Sequence, residues 1–287
     1  MFVSDLLLAT KFHIPAARRQ LVIRPRLFER LDEGLGYPLM LVSAPPGFGK
    51  TTIVSEWVRQ RSRQAVRAAN DEMAPGADAF QAPLIRVAWL ALTDDDNDGT
   101  CFLTYLSTAL DPWSPGLGDT VLALLGSPEP PTPRAVVTML INTLSQLPMS
   151  QSAGYRSYVL VLDDYHLIHN PAIHDALTFL VDHSPPQLHV LLTSRIDPPL
   201  PLATWRARGQ LAEMRAADLR FTIAETIQFL NLTMGLALSP ADMELLAMRT
   251  EGWAAGLQLA ALSLRGRSDR ETFLQEFTGG HRYILGY

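Results

Sequence analysis

The segment LMLVSAPPGFGKTT, residues 39–52, constrains the fold of this chain more than any other. It consists of an apolar run of strand length, the residues Gly-Phe-Gly-Lys-Thr, and a helical pattern with apolar residues at positions 53, 54, 57 and 58. That order is typical of a phosphate loop, in which successive backbone N–H groups and the positive end of the following helix bind a phosphate. Ala44 stands where the pattern usually has its first glycine, and that position tolerates a small residue. The alternative is an ordinary glycine-rich turn between a strand and a helix.

Each residue type in a phosphate loop has its own task. Gly47 and Gly49 allow the backbone to wrap around the phosphate, Lys50 reaches the β- and γ-phosphates, and Thr51 supplies a hydroxyl to Mg²⁺. The sequence therefore predicts a nucleotide site with Mg²⁺, contributed by Ala44, Pro45, Pro46, Gly47, Phe48, Gly49, Lys50, Thr51 and Thr52.

A second predicted strand ends in two carboxylates, in the segment YVLVLDDYH. The apolar run leads directly into Asp163 and Asp164, at the edge of the sheet where ligands of such folds bind. We predict that Asp163 holds Mg²⁺ through water and that Asp164 orients or deprotonates the attacking water. A solvated pair of loop carboxylates is the alternative. Another strand, HVLLTSR, ends in Arg195, which is predicted either to sense the γ-phosphate or only to cap the strand.

Apolar runs of strand length alternate with longer segments of helical period, a pattern typical of a parallel sheet covered by helices. The sequence thus predicts an α/β P-loop NTPase fold of the ASCE type. Two looser stretches rich in Ala, Gly and Pro, residues 67–84 and 111–134, are predicted to be surface insertions or loops. The predicted strands are Leu39–Ser43, Arg86–Leu92, Tyr158–Leu162, His189–Thr193 and Leu211–Arg215.

After Phe221 the strand-like runs stop and three helices are predicted. Thr222 and Glu225 form a capping-box pattern before the first helix, whose apolar positions 227, 229, 230 and 232 fit one face. The other two cover residues 239–249 and 254–265. We therefore predict a P-loop domain over residues 1–221 and a small all-α domain over residues 222–287.

The acidic run DDDNDG, residues 94–99, matches the opening of an EF-hand calcium loop. The twelfth position of such a loop is a bidentate Glu, whereas Tyr105 stands there in this chain. We therefore predict no calcium site and interpret the run as a helix start, with Asp98 or Thr100 as the cap.

Composition excludes several classes of protein. With 47% hydrophobic and 18% charged residues, the 287-residue chain can bury a substantial core. Its apolar runs are much shorter than the ~20 residues that cross a bilayer, and no basic segment precedes the N-terminal DLLLA, so we expect a cytoplasmic protein without a membrane partner. The lone Cys101 forms no intramolecular disulfide, no Cys/His spacing indicates zinc, and the formal net charge of −5 gives no general attraction to nucleic acid.

Eight segments, in order, resemble the ATPase module of the large LuxR-type transcription regulators similar to MalT, which belong to the STAND class of signal-transduction NTPases. The segments are TKFHIP, VIRPRLFERL, SAPPGFGKTT, VAWLALTDDDND, VLVLDDYHLI, LLTSR, LRFT and GWAAGLQLAALSL. The resemblance implies an ATP-driven switch with weak ATPase activity. ADP is held between the core and the helical domain at rest, and inducer with ATP allows self-association and promoter activation.

The resemblance also implies contacts with the base. Val22 and Arg24, in the segment VIRPR, are expected over the adenine, although a solvated basic face beside Arg18 and Arg19 is the alternative. Related proteins often carry Gly-x-Pro in the helical domain to touch ADP, and Gln258 stands in place of that proline here. Full-length members continue to a sensor region and a helix-turn-helix. We therefore expect this chain to be an N-terminal fragment, or a protein without its output domain, that lacks the inducer- and DNA-binding regions and does not bind DNA directly.

Two other functions stay open at this point. A P-loop enzyme with a second substrate, such as a small-molecule kinase, requires an acceptor pocket and a lid with several arginines. A mechanical AAA+-type ATPase requires a ring and an arginine finger, for which Arg206 and Arg208 are the candidates.

Overall fold

The computed structural model describes residues 7–16, 21–70, 84–148, 155–236 and 238–265. Five parallel strands form one sheet in the order β2-β3-β4-β1-β5. All five predicted strands are confirmed, the first and the last to the residue. They are β1 (Leu39–Ser43), β2 (Leu84–Ala91), β3 (Tyr155–Asp163), β4 (Leu188–Ser194) and β5 (Leu211–Arg215).

Helices cover both faces of this sheet, so its central strands are buried on both sides and consist mainly of apolar residues. The α-helices of the described residues are α1 (Pro25–Gly34), α2 (Lys50–Asn70), α3 (Gly99–Leu110), α4 (Leu117–Leu125), α5 (Pro133–Ser145), α6 (Pro171–Asp182), α7 (Leu202–Ala207), α8 (Ala216–Leu219), α9 (Ile223–Gln228), α10 (Pro240–Thr250) and α11 (Ala254–Leu264). The last three pack in an apolar cluster of their own and not on the sheet. No helix in the described part of the chain is both long and apolar enough to span a membrane.

The alternation of side chains along β1 divides the core in two. Leu39 and Leu41 pack in one cluster with residues of α3 to α7, whereas Met40 and Val42 pack in the other with residues of α1 and α2. The predicted apolar face of α2 is confirmed, because its residues 53, 54, 57 and 58 are all buried in the second cluster. The phosphate loop between β1 and α2 is thereby held at both ends by buried residues.

One predicted loop is wrong in part. Residues 111–134 contain the helix α4, which begins after Gly116 and buries Leu117 and Val121 in the core. Gly118 lets this helix approach α3 closely, since a Cβ at this position would lie 3.2 Å from the Cα of Thr108. The sequence prediction missed this helix because Gly and Pro residues flank a short apolar repeat, in which Leu117 and Val121 are four residues apart. The other loose stretch lies largely outside the described residues.

The acidic run at residues 94–98 starts a helix, as predicted, and Asp98 rather than Thr100 is the cap of α3, accepting from Cys101 N at 2.8 Å. Asp96 is fully buried, and both of its carboxylate oxygens accept from Lys11 Nζ at 2.7 Å. Asn97 donates to the carbonyl of Leu167 at 2.8 Å. The run therefore joins the N-terminal segment to the loop that follows β3.

The helices after Phe221 bury their own apolar cluster, formed by α9, α10 and α11. Both hydrogen bonds of the predicted capping box between Thr222 and Glu225 are present. The predicted apolar face is wrong at Leu232, which is 70% exposed, whereas Leu230 is fully buried. A π-helical turn at Phe229–Thr233 follows α9, and its wider winding changes which side chains point inward. We call residues 222–265 the helical unit; the domain boundary at 221 stays a prediction.

Candidate nucleotide-binding site

The phosphate loop has the backbone that its glycines were predicted to allow. Gly47 and Gly49 have φ values of +77° and +79°, in the left-handed region that favours glycine. Ala44, at the start of the loop, is buried and its N–H donates to Ser194 O at 3.2 Å. A small residue fits this position because the chain leaves β1 here directly beside the end of β4.

Lys50 is folded back on the loop that it follows. Its Nζ donates to Ala44 O at 2.7 Å and to Pro45 O at 3.1 Å, and the residue is only 7% exposed. Burial lowers the pKa of Lys50, while the nearby carboxylates of Asp164 and Asp163 act in the opposite direction. The ammonium group is therefore held by carbonyl oxygens that phosphate oxygens can replace.

Asp163 meets two hydroxyl groups at the end of β3. Thr51 Oγ1 donates to its Oδ1 at 2.9 Å, and Thr193 Oγ1 donates to the same oxygen at 2.5 Å. The carboxylate is 4% exposed, and burial raises its pKa, whereas the two threonine hydrogen bonds lower it. A buried carboxylate beside a threonine hydroxyl is a set of hard oxygen ligands that suits Mg²⁺. The residues present thus fit the predicted metal, which Thr51 would hold through its hydroxyl and Asp163 through water.

Sequence reasoning gave Thr193 no role. Its position at the end of a buried apolar strand could have indicated a role in the site. Because β4 lies between β1 and β3 in the sheet, the end of β4 is beside both the phosphate loop and Asp163. Its Oγ1 also accepts from Asp164 N at 2.9 Å. Thr193 consequently fixes both the carboxylate of Asp163 and the backbone that follows it.

Asp164 has a left-handed backbone, with φ 59° and ψ 41°, and its side chain is 41% exposed. It lines a cavity of about 500 Å³, a volume that suits a small-molecule ligand. Arg195, exposed at the end of β4, lines the same cavity, as do Phe48, Lys50 and Thr51 of the loop. The structure therefore brings the predicted phosphate and water-activating residues to one place.

The other side of this cavity is formed by the segment before α1 and by the helical unit. Val22 and Arg24 line the cavity from this segment, and Phe221 lines it just before the helical unit begins. Gln258, the residue in place of the expected proline, also lines the cavity, together with Ala255. Residues from both sides of the predicted domain boundary thus share one cavity.

Arg24 is engaged within the protein. Its guanidinium donates to Leu219 O at 2.9 Å and Arg220 O at 2.6 Å, pairs with Glu225 at 3.2 Å, and lies over the Phe221 ring. The Nε of Arg24 is buried without a hydrogen-bond partner among the described residues. Arg24 therefore ties the segment before α1 to the start of the helical unit, and an adenine contact stays a prediction.

The helical unit also contacts the phosphate loop directly, which sequence reasoning missed. Trp253 Nε1 donates to Pro46 O, and Ala255 N donates to Gly47 O, both at 3.0 Å. The approach is close, since a Cβ on Gly47 would lie 2.6 Å from the Cβ of Ala255. The carbonyls of Pro46 and Gly47 are thus bound by the start of α11. Of the two candidate finger residues, Arg206 pairs with Glu213 at 2.8 Å.

Comparison with known families agrees with this geometry. The family model described as the AAA ATPase domain matches residues 20–193, which contain the phosphate loop and both carboxylates. The chain belongs to the AAA ATPase domain family. The structure accordingly has an α/β P-loop NTPase sheet with helices on both faces and a helical C-terminal part.

Curated relatives of this AAA ATPase domain protein are much longer. The HTH-type transcriptional regulator MalT of Serratia proteamaculans is 34% identical over 260 residues, which are 91% of this chain and 25% of that protein. The serine/threonine-protein kinase PknK of Mycobacterium tuberculosis is 32% identical over 276 residues, 96% of this chain and 22% of that protein. The resemblance to a MalT-like ATPase module is confirmed, and the chain spans about a quarter of the length of these relatives.

Two solved structures share the fold of this AAA ATPase domain. One is a STAND protein with a tetratricopeptide repeat sensor from Pyrococcus horikoshii, with a TM-score of 0.55 and 15% identity, covering 91% of this chain and 32% of that chain. The other is a Walker-type ATPase of Pyrococcus abyssi, with a TM-score of 0.50 and 13% identity, covering 90% of this chain and 72% of that chain. At these identities the likeness concerns the fold alone.

Proposed function

We propose that this chain is the ATP-binding switch module of a MalT-like regulator, and that it hydrolyses ATP slowly. ADP holds the helical unit against the core at rest, and ATP allows self-association. The observation that carries this proposal is the pair of hydrogen bonds from Trp253 and Ala255 to the carbonyls of the phosphate loop. A nucleotide in the shared cavity contacts both units, so it stabilises their closed arrangement by its differential affinity for that arrangement.

The phosphate side of the site follows from the contacts described above. Lys50 exchanges the carbonyls of Ala44 and Pro45 for β- and γ-phosphate oxygens, and the N–H groups of the loop surround the β-phosphate. When bound, Mg²⁺ held by Thr51 and Asp163 supplies charge neutralisation for the phosphates.

Hydrolysis requires a water molecule aligned with the γ-phosphate. Asp164 is the group that orients this water and accepts its proton, because its carboxylate faces the cavity beside Lys50. Arg195 lies at the tip of the strand next to the phosphate loop and stabilises the charge on the γ-phosphate.

The switch follows from the closed arrangement. ADP leaves only when the helical unit separates from the loop, so release rather than chemistry limits turnover. We expect the purified chain to carry ADP and its multiple-turnover rate to lie far below the ~1 to 100 s⁻¹ of kinases.

Replacing Trp253 by Ala should speed ADP release about tenfold, because the variant loses a hydrogen bond and the ring contact that hold the helical unit on the loop. Stopped-flow displacement of a fluorescently labelled ADP measures this rate. Met248→Ala is the matched control, since Met248 lies in the same unit and is 67% exposed.

Equal release rates for Trp253→Ala and the parent chain contradict the switch. The same holds if Met248→Ala accelerates release as much as Trp253→Ala does. In either case the chain is better described as a plain P-loop ATPase with a helical appendage.

A further inference from the structure

The part of the cavity between α1 and α2 has apolar walls. Phe28 of α1 and Ile53 of α2 line it and pack in the same buried cluster, and Val22 lines it from the segment before α1. Apolar walls suit the faces of a flat ring, whereas the hydroxyls of a sugar need polar partners. We therefore expect the base of a nucleotide in this part of the cavity, with its phosphates at the loop.

Glu56 adds a carboxylate to these apolar walls. It lines the cavity from α2, four residues after Thr52 and three after Ile53, which line it too. Residues three and four apart share one face of a helix, and four residues advance the helix by about 6 Å. Because Thr52 directly follows the lysine and threonine of the phosphate loop, Glu56 lies about one turn further from the phosphates. The carboxylate is therefore beside the base rather than the phosphates.

The Glu56 carboxylate has unused hydrogen-bonding capacity. Its Oε2 is buried and accepts no hydrogen bond from the described residues, which is rare for a buried polar atom. Arg59 Nη1 lies 3.7 Å from Oε2, and Arg63 Nη1 lies 4.0 Å from Oε1. Both distances are longer than a hydrogen bond, and Arg59 donates instead to Ile14 O at 3.5 Å. The two arginines thus balance the charge of Glu56 and leave Oε2 without a donor.

We propose, on the basis of the function proposed above, that Glu56 determines specificity for the base by accepting a hydrogen bond from the 6-amino group of adenine. An ionised carboxylate only accepts, and this amino group is a donor on the edge of the base. The bond is charge-assisted, and the apolar walls exclude the water that would compete with it. A base without a donor at this position leaves the carboxylate unpaired, so it binds more weakly.

Two analogues of ADP separate recognition of the base from recognition of the sugar. Purine riboside diphosphate has hydrogen in place of the 6-amino group, and 2′-deoxy-ADP lacks one sugar hydroxyl. Each competes at equilibrium with a fluorescently labelled ADP bound to the full chain, which gives its affinity relative to ADP. Glu56→Gln keeps an acceptor without the charge, and Glu56→Ala removes the acceptor. The matched control is Glu33→Ala, because Glu33 is an exposed carboxylate on α1.

We expect the parent chain to bind ADP about tenfold to a hundredfold more tightly than purine riboside diphosphate, the contribution of one charge-assisted hydrogen bond. This ratio should fall to roughly twofold to tenfold in Glu56→Gln, which forms a neutral hydrogen bond, and to about one in Glu56→Ala. Glu33→Ala should keep the parent ratio, and the ratio for 2′-deoxy-ADP should be the same in all four proteins. Each ratio compares two ligands on one protein, so a loss of stability alone does not change it.

Equal affinities of the parent chain for ADP and purine riboside diphosphate overturn the role of Glu56 and leave nucleotide binding itself intact. A parent-like ratio in Glu56→Ala also overturns it, because another residue then binds the amino group. If Glu56→Ala does not fold, a parent-like ratio in Glu56→Gln has the same consequence. A changed ratio for 2′-deoxy-ADP in Glu56→Ala means that the carboxylate binds the sugar, which contradicts the role too. A parent chain that binds no labelled ADP contradicts the proposed function.

Discussion

Asp164→Asn should bind ATP like the parent chain and hydrolyse it about 10²- to 10⁴-fold more slowly, the usual contribution of a positioned general base. Asn suits this test because Asn adopts the left-handed backbone of residue 164 readily, so the loop keeps its shape. An amide of the same size retains the contacts of the side chain but does not accept the proton of water. Single-turnover hydrolysis and titration with a fluorescent ATP analogue give the two quantities separately.

The matched control is Asp175→Asn, an exposed carboxylate on α6, which should leave hydrolysis unchanged. Asp163→Asn, in contrast, should weaken the dependence of the reaction on Mg²⁺, because it alters a predicted metal ligand. If Asp164→Asn is as active as the parent chain, the role of activating water belongs to another residue.

Lys50→Ala should lower nucleotide affinity by about tenfold to a hundredfold, since it removes a charge-assisted contact worth ~1.5 to 3 kcal/mol. The loop itself should survive the change, because the left-handed glycines and the buried face of α2 remain. Titration with a fluorescent ATP analogue measures the loss. Arg63→Ala removes an exposed cation from the same helix and serves as the control. Equal affinity in Lys50→Ala and the parent chain would refute the phosphate-site assignment.

The sequence predicted the sheet and the phosphate side of the site because both are local patterns. The segment before Lys50 is a buried strand followed by glycines with positive φ. Both features can be predicted from a few consecutive residues of the sequence. Asp163 was predictable for the same reason, because an apolar run of strand length ends at it. The helical unit was predicted in the same way, from the capping box of Thr222 and Glu225 and the helical pattern after Phe221, and the resemblance to a known family added only the expectation that ADP is held between the core and this unit.

The contacts that sequence reasoning missed join residues far apart in the chain. Thr193 meets Asp163 only because β4 lies between β1 and β3, and strand order is not written in any one segment. Trp253 reaches Pro46 across more than two hundred residues. The sequence predicted that Arg24 contacts the adenine base, and it gave no sign of the ion pair between Arg24 and Glu225. That pair depends on how the helical unit packs. Leu232 was misplaced because a π-helical turn has no clear sequence signal.

Gly47 has two separate reasons to lack a side chain. Its φ of +77° serves the phosphate loop, and the space beside it is taken by Ala255 and Trp253 of the helical unit. Gly49 has a similar φ but no atom within 4 Å of where its Cβ would be. A substitution at Gly49 therefore disturbs the loop alone. A substitution at Gly47 disturbs both the loop and its contact with the helical unit. Gly47 is in this sense a shared part of two units, whereas Gly49 belongs to one.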